Sequence, residues 1–569
     1  MRRYASIDFL RGTAIFLMLF LHSIMLTLDY GIIDQINSLP LINLVALLLL
    51  PFMGGMAGFF LLVSSMGNMI SMQRHLQAGK PVKSLAIRQV LGGIILLVFA
   101  VLTEAWIGYH GALGEAILLK DDWLMTGLTR GYHMETIHTI AWCIIINGLV
   151  HAALARNEKW KDVDRNIKIY VVLAILIVVL TLPIWLAVDS LIPGYPYATY
   201  SDIGRANSNL TIQYPLPGVS TFWEYIYLFP LAAIAGQPEP IFPYLAISFV
   251  GSIFGIYLSQ ERDKIPRDFP KRGMQVGFIL FFIGLIGLIV TYLDLLINQS
   301  LDVTLTTYLR LWDHRSYTPD GPGNTHWFGW LFQLLCLNGA SIWATLFIIY
   351  MVEYRGKGAI FAKKTQPIRR YGFVAFTVYN NQWIIFFGQL IVSLLFGLTV
   401  YSKFGWGGVF LVMLLTYLIF EIILRLWEKV DYVGTLEWCM GTIGSFMIPA
   451  RKQMVSEEGG EIPKWWKMGT PKVQKAFYNV DWLNVVLPSE INHKQKKESR
   501  LAWKLSLVGL LLFPLSIVAL NIAKNSTELE GKNPYNSRAK ILSLVSLIFT
   551  AIWITLAIIF TPNMLGIPL

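Results

Sequence analysis

Apolar runs of about 20 residues recur along the whole 569-residue chain, each long enough for a helix to cross the hydrocarbon of a bilayer. In lipid, every backbone N–H and C=O must find its partner within the spanning segment, so such runs fold as helices. Only 14% of the residues are charged and 55% are hydrophobic, whereas soluble domains carry about 25% charged residues. The expected fold is an all-α, polytopic integral membrane protein. The first apolar run is too long for a cleavable signal peptide and contains Asp8 and Arg11.

Twelve spans are predicted, near 9–29, 48–71, 86–108, 134–155, 169–188, 241–259, 274–296, 327–353, 371–397, 407–428, 502–522 and 541–561. The connections 72–88, 156–168, 260–273 and 354–370 are rich in Lys and Arg, whereas 30–47, 109–133 and 189–240 hold only Lys120, Arg130 and Arg205. This alternation follows the positive-inside rule with both termini cytoplasmic, in the plasma membrane. It also explains the net charge of +11 without nucleic acid as a partner. The apolar stretch 222–236, between Pro217 and Pro238, reads as interfacial or re-entrant, because a span there would turn the basic 260–273 connection outward. Sequons at Asn209, Asn298 and Asn525 fall on the side assigned as outer.

This divides the chain into a ten-helix core at 1–440, a basic and aromatic cytoplasmic segment at 441–501 with KWWK at 464–467, and two additional helices within 502–569. The middle segment reads as lying against the membrane surface. Cys143, Cys336 and Cys439 stand singly, with no CxxC or HExxH, so neither a disulfide framework nor a metal site is expected.

The first helix, ASIDFLRGTAIFLMLFLH (5–22), threads Asp8, Arg11 and His22 through apolar residues. Each ionisable group costs about 2.5–3.5 kcal/mol at the centre of a membrane helix. Arg11 and His22 share a face, about 16 Å apart along the axis, and Asp8 lies one turn before Arg11. With the N-terminus inside, the acid and the arginine sit at the inner mouth and His22 lies in the outer third. The fourth span opens with GYHMETIHTIAWC, which brings His133, Glu135 and His138 to the same outer side. An imidazole exchanges protons near neutrality, as general-base work requires, and Glu135 is placed to fix a tautomer.

Plainer readings stand beside these. A membrane histidine also serves as a hydrogen-bond donor between helices, and Arg11 also snorkels and pairs with Asp8. His133 and Glu135 lie at a membrane edge where polarity is cheap, and Glu104 and Glu421 lie near span ends. The 301–326 connection, with Asp302, Arg310, Asp313, His314, Arg315, Asp320 and His326, reads as a solvated loop on the outer side. A transporter or a non-catalytic scaffold stays open on these residues, the first because paired intramembrane charges suit it.

The opening RRYASIDFLRGTAIFLMLFLH resembles that of transmembrane acyltransferases, and Arg11 and His22 meet the Arg-x10-His spacing of the acyltransferase 3 family. The rest is more similar to the heparan-α-glucosaminide N-acetyltransferase catalytic-domain family and its bacterial inner-membrane relatives. The resembling segments are FFLLVSSMGNMI (59–70), METIHTIAW (134–142), PIFPYLAISFVGSIFG (240–255), RYGFVAFTVYNNQW (370–383) and GTLEW (434–438), in the family's order. Ser65 replaces a glycine of that pattern, and so does Ala141. The resemblance implies an acyl-CoA-dependent O- or N-acyltransferase that moves an acyl group, commonly acetyl, from cytoplasmic acetyl-CoA or another acyl-CoA to an extracytoplasmic glycan or lipid-linked acceptor. It implies His22 as catalytic base or acyl carrier, Asp8 as the acid that precedes the motif arginine, and His138 as a further residue of the catalytic set. Arg11 is the motif arginine near the donor, and Arg88 is placed with it at the basic inner mouth. Membrane lipid and a second copy of the chain are the other expected partners.

Overall fold

The computed structural model describes residues 4–29, 41–103, 134–191, 222–236, 239–261, 263–309, 311, 328–355, 358–447, 496–510 and 513–560. Among them there is no strand; Leu28 and Phe404 form an isolated bridge. The first half comprises α1 (Ala5–Thr27), α2 (Leu41–Gly54), α3 (Met56–Gln77), α4 (Val82–Leu102), α5 (Thr136–Leu154), α6 (Val163–Leu191), α7 (Phe222–Ala235) and α8 (Ile241–Leu258). Then follow α9 (Phe269–Asn298), α10 (Leu301–Leu309), α11 (Gly329–Val352), α12 (Gly358–Lys364), α13 (Gln366–Phe373), α14 (Ala375–Asn380) and α15 (Ile384–Leu395). The last are α16 (Trp406–Glu428), α17 (Leu436–Met447), α18 (Lys497–Gly509), α19 (Phe513–Glu530) and α20 (Pro534–Phe560). Among the described residues nine helices are long and apolar enough to cross a membrane: α1, Leu49–Gln77 across α2 and α3, α4, α5, α6, α8, α9, α11 and α16. The protein is therefore all-helical, polytopic and membrane-embedded.

The chain forms two compact units, one of Met1–Ile24, Leu48–Gly388 and Met413–Val485, the other of Met25–Leu47, Gln389–Val412 and Val486–Leu569. In the first unit, α8 is the most enclosed of the spans. Gly251 and Gly255 on α8 lie against backbone carbonyls of α3, at Leu62 and Met66, where a Cβ would collide. Small residues four apart allow this close approach in lipid, where van der Waals packing and hydrogen bonds, not water exclusion, hold helices together. Ser65, at the position where the resembling family has glycine, bonds Ser248 Oγ at 2.7 Å, and Asn147 Nδ2 donates to the same oxygen at 2.5 Å. On α6 and α9 the outward residues, among them Val172, Ile175, Val179, Ile279 and Ile286, are exposed and apolar, as lipid-facing positions must be.

One predicted span is broken. The run 371–397 does not form one helix but passes through α13, α14 and α15, interrupted at Val374 (φ −122°, ψ 46°) and after Asn380. Polar residues carry the break: Thr377, Asn380, Asn381 and Gln382 interrupt the apolar pattern, and Ala375, Thr377, Val378 and Tyr379 are buried in protein. Irregular backbone in a membrane protein is tolerated only where protein or water satisfies it. The stretch 222–236 forms the 14-residue α7, about 21 Å long at 1.5 Å per residue and short of a 30 Å core.

In the second unit, Gln389 Nε2 donates to Leu26 O at 3.1 Å, Phe404 N to Thr27 O at 2.9 Å, and Asp29 N to Phe404 O at 2.9 Å. Where two C-terminal helices are predicted, the same unit holds three: α18, α19 and α20. His133, Glu104, Asn209, the 312–327 part of the outer loop and 448–495 lie outside the described residues.

The tightest contact in the first unit joins α1 to α13. A Cβ on Gly12 would overlap the Ile368 carbonyl, and a Cβ on Gly372 would overlap the Asp8 carbonyl. Both obstacles are backbone, which cannot swing aside. Gly12→Val or Gly372→Val is expected to cost at least about 1–3 kcal/mol, read as a loss of monodisperse protein and a lowered unfolding temperature in detergent. Gly444→Ala meets open space and is expected to leave both unchanged.

Candidate functional site

The polar residues of α1 are distributed along the broken segment 366–383. At the N-terminal end of α1, Asp8 Oδ2 accepts from Arg369 Nη2 at 3.5 Å, with both side chains buried. Arg369 also donates to Ala362 O at 2.8 Å. Beside them, Glu353 Oε1 accepts from Ser6 N at 3.1 Å and Ser6 Oγ at 2.8 Å. Asp8 thus fixes α13 against the first helix, a task invisible in the local pattern because Arg369 is 361 residues away. Removing one partner of a buried pair leaves an uncompensated charge.

One turn along, the Arg11 guanidinium lies 5.8 Å from the centre of the Phe376 ring. Phe376 belongs to the first turn of α14, whose start is capped by Glu437. The carboxylate accepts from Phe376 N at 2.7 Å and from Thr377 Oγ1 at 2.6 Å, and Thr377 Oγ1 in turn accepts from Leu436 N at 2.8 Å. The amide that the break at Val374 releases is satisfied in this way. Burial pushes the Glu437 carboxyl up, while the Thr377 hydroxyl, its own amide and the Arg11 charge pull it back.

Phe376 and Glu437 also line a cavity of about 320 Å³, together with Asn68, Ser71, Arg88 and Tyr432. Arg88 Nη1 donates to His75 Nε2 at 3.0 Å, so the guanidinium is held at the cavity wall by a neutral acceptor. Of the two arginines assigned to the donor end from sequence, Arg88 lines the cavity, together with the acids Asp431 and Glu437, whereas Arg11 is not in the lining and adjoins it through the Phe376 ring.

At the other end of the segment, His22 Nδ1 and Gln382 Oε1 form a short hydrogen bond. Gln382 Nε2 points to Met18 Sδ at 3.8 Å. With the carbonyl oxygen toward the ring, Nδ1 is the donor of this bond, and in the neutral ring that tautomer has its lone pair on Nε2. Tyr379 donates to Glu135 Oε2 at 2.7 Å, and Thr103 donates to Asn380 Oδ1 at 2.6 Å. His138 is fully buried on α5. Near it, Thr139 Oγ1 bonds the Glu239 carbonyl, and the Glu239 carboxyl is raised well above its ordinary range by burial and by Glu135.

Arg369 and Glu239 were not singled out from sequence, and Tyr379, Gln382 and Glu437, though inside the resembling segments 370–383 and 434–438, were assigned no role. Polar residues within the apolar run 371–397 were a signal for Tyr379 and Gln382, since polar side chains in a span need partners. Glu421, near a span end, accepts from Arg370 at 2.9 Å and from Arg425 at 2.7 Å. Glu428 accepts from Arg370 at 2.7 Å. His151, which carried no sequence signal, lies buried between Gln73 Nε2 at 3.2 Å and Tyr170 OH at 3.4 Å. No family model, curated protein or solved structure matches the chain.

Glu353, one residue beyond α11, is pushed up to about 7 by burial; the two Ser6 donors pull it down, Asp8 pushes it up and Arg369 pulls it down. The unfolded carboxyl titrates near 4.3, so the folded state binds this proton more tightly. Its contribution is complete below the unfolded value and is lost as pH rises through the folded one. The unfolding temperature in detergent is expected to fall between about pH 5 and pH 8, and Glu353→Gln to flatten that slope. An unchanged slope in the variant contradicts the assignment.

Proposed function

We propose that the protein is a membrane acyltransferase whose ten-span core takes an acyl group, commonly acetyl, from acyl-CoA on the cytoplasmic side. The acceptor is a glycan or lipid-linked hydroxyl or amine on the other side, in the plasma membrane, with the N-terminus cytoplasmic. One observation carries the reading. The broken segment 366–383 has Phe376 in the wall of the cavity that Arg88 also lines, and Gln382 bonded to His22, so one element reaches both the arginine assigned to the donor and the imidazole assigned to the acceptor.

Arg88 and Arg11 supply fixed positive charge for the phosphates of the donor, since a guanidinium stays ionised and bonds phosphate in a planar fork. His22 Nε2 takes the proton of the acceptor hydroxyl or amine as its oxygen or nitrogen attacks the thioester carbonyl. Collapse of the tetrahedral adduct breaks the C–S bond, and the proton passes to the CoA sulfur, leaving acylated acceptor and free thiol. Gln382 holds the ring and its tautomer through the reaction. Asp8 acts at a distance, by keeping Arg369 and with it α13 in place.

The broken helix also supports a second reading, a transporter, because interrupted helices line substrate sites in many carriers. Purified protein separates the two. Labelled acetyl-CoA is expected to lose its acyl group to acceptor in the presence of membrane extract, and His22→Ala to lower the rate by about 10²–10⁴-fold, the usual worth of a general base, with the unfolding temperature kept. Arg88→Ala is expected to raise the KM for acetyl-CoA more than it lowers kcat. Full activity in His22→Ala contradicts the mechanism, and solute uptake into proteoliposomes without any transfer favours the carrier.

A further inference from the structure

The C-terminal helices carry an inference that does not depend on the catalytic reading. The uncharged run between Lys504 and Lys524 is long enough to cross a membrane as one helix, yet the chain folds it in two. α18 ends at Gly509, and α19 begins at Phe513 with Pro514 in its first turn, a position where proline needs no amide partner. The two helices run antiparallel. Glu530, the last residue of α19, accepts from Glu498 N at 2.8 Å, from Ser499 N at 2.9 Å and from Ser499 Oγ at 2.5 Å, all in the first turn of α18. At the opposite end, Gly509 packs against Ser516. The 13-residue α18 is about 20 Å long, and 30 Å is needed to cross.

The third helix provides a depth gauge. α20 starts beside the base of the hairpin, where Asn533 Nδ2 donates to Ser499 Oγ at 2.9 Å. Ser546 on α20 donates to Gly509 O at 2.8 Å. Ser546 lies five residues past Ile541, where the apolar run of α20 begins, about 8 Å along the axis. The tip of the hairpin therefore meets α20 well short of the middle of that run. Around the tip the outward side chains are apolar and exposed: Leu507, Val508, Leu510, Phe513 and Ile517. No charged residue lies between Lys504, past the middle of α18, and Lys524 on α19. A complete span at 502–522 would part Lys497 and Lys504 from Lys524, Lys532, Arg538 and Lys540 across the bilayer, against the positive-inside tendency.

We infer that 497–530 is a re-entrant hairpin that dips into one leaflet of the lipid bilayer and leaves by the face it entered. Its basic base sits among the headgroups, and α20, which is not one of the nine spans named above but carries the apolar run from Ile541 to Phe560, makes the crossing that follows it. The hairpin takes one crossing out of the twelve expected from sequence and puts the far end of α20 across the membrane from Lys497. The serine- and alanine-lined seam between the three helices lets the hairpin pack tightly without a long apolar arm: Ala502, Ser506, Ala519, Ala523 and Ser526 are all buried.

The test places single cysteines at Lys497→Cys and Glu528→Cys, both exposed positions at the two bases of the hairpin. The background lacks the native cysteines, and each variant is treated with a membrane-impermeant maleimide in sealed cell-derived vesicles of one orientation. Both positions are expected to react, or both to be protected until detergent is added. One reactive and one protected position overturns the hairpin and restores a complete span. If the cysteine-free chain does not fold, the same two reporters in the wild-type chain, with its own labelling subtracted, give the same comparison.

Discussion

The contact of Gly12 with Ile368 and of Gly372 with Asp8 is the constraint on which the rest of the first unit depends. Two helices in lipid gain nothing from excluding water, so they associate only as closely as their side chains allow. Two glycines, one on each element, bring backbone to backbone. That approach brings Arg369 to Asp8, Phe376 beside Arg11 and Gln382 onto His22. In the FLRGT segment, the glycine after Arg11 is as necessary as the arginine, because it sets the distance at which the arginine meets its surroundings.

The broken segment then has to satisfy the backbone it releases, and it does so with side chains far away in sequence. Glu437 caps the start of α14, Thr377 receives the amide of Leu436, and Asn381 Nδ2 donates to Thr377 O at 2.7 Å. Buried polar groups that are bonded in this way fix one arrangement, because each unmade bond leaves a desolvation cost of about 1–3 kcal/mol. The cavity wall and the cap share Glu437 and Phe376, so occupation of the cavity and the geometry of α14 are physically coupled. Arg370, gripped by Glu421 and Glu428, holds the same segment from α16.

Much of this was legible in the sequence, for a physical reason. Hydrophobic length reports spans directly, and α1, α4, α5, α8, α9 and α11 lie where the apolar runs lie. The charged and imidazole groups of α1 stood out because they are costly in hydrocarbon. What hydropathy does not report is where an apolar run breaks. The runs 371–397 and 502–522 look continuous when averaged, yet the first is interrupted by Val374 and the Asn-Asn-Gln stretch. The second divides between Gly509 and Pro514. The partners of Asp8 and His22, Arg369 and Gln382, were likewise out of reach, since residues more than 350 positions apart are joined only by the packing of the whole unit.

The proposed transfer requires that the broken segment link the Arg88 cavity to His22. The most direct measurement is a cryo-EM structure of the protein with acetyl-CoA bound, at a concentration where transfer is saturated. Ligand density is expected in the cavity walled by Arg88 and Phe376, phosphates toward Arg88 and the acyl end directed to the Gln382–His22 pair. Acetyl-CoA density elsewhere, or a cavity closed off from His22 by the α14 backbone with the ligand in place, would contradict the proposed transfer.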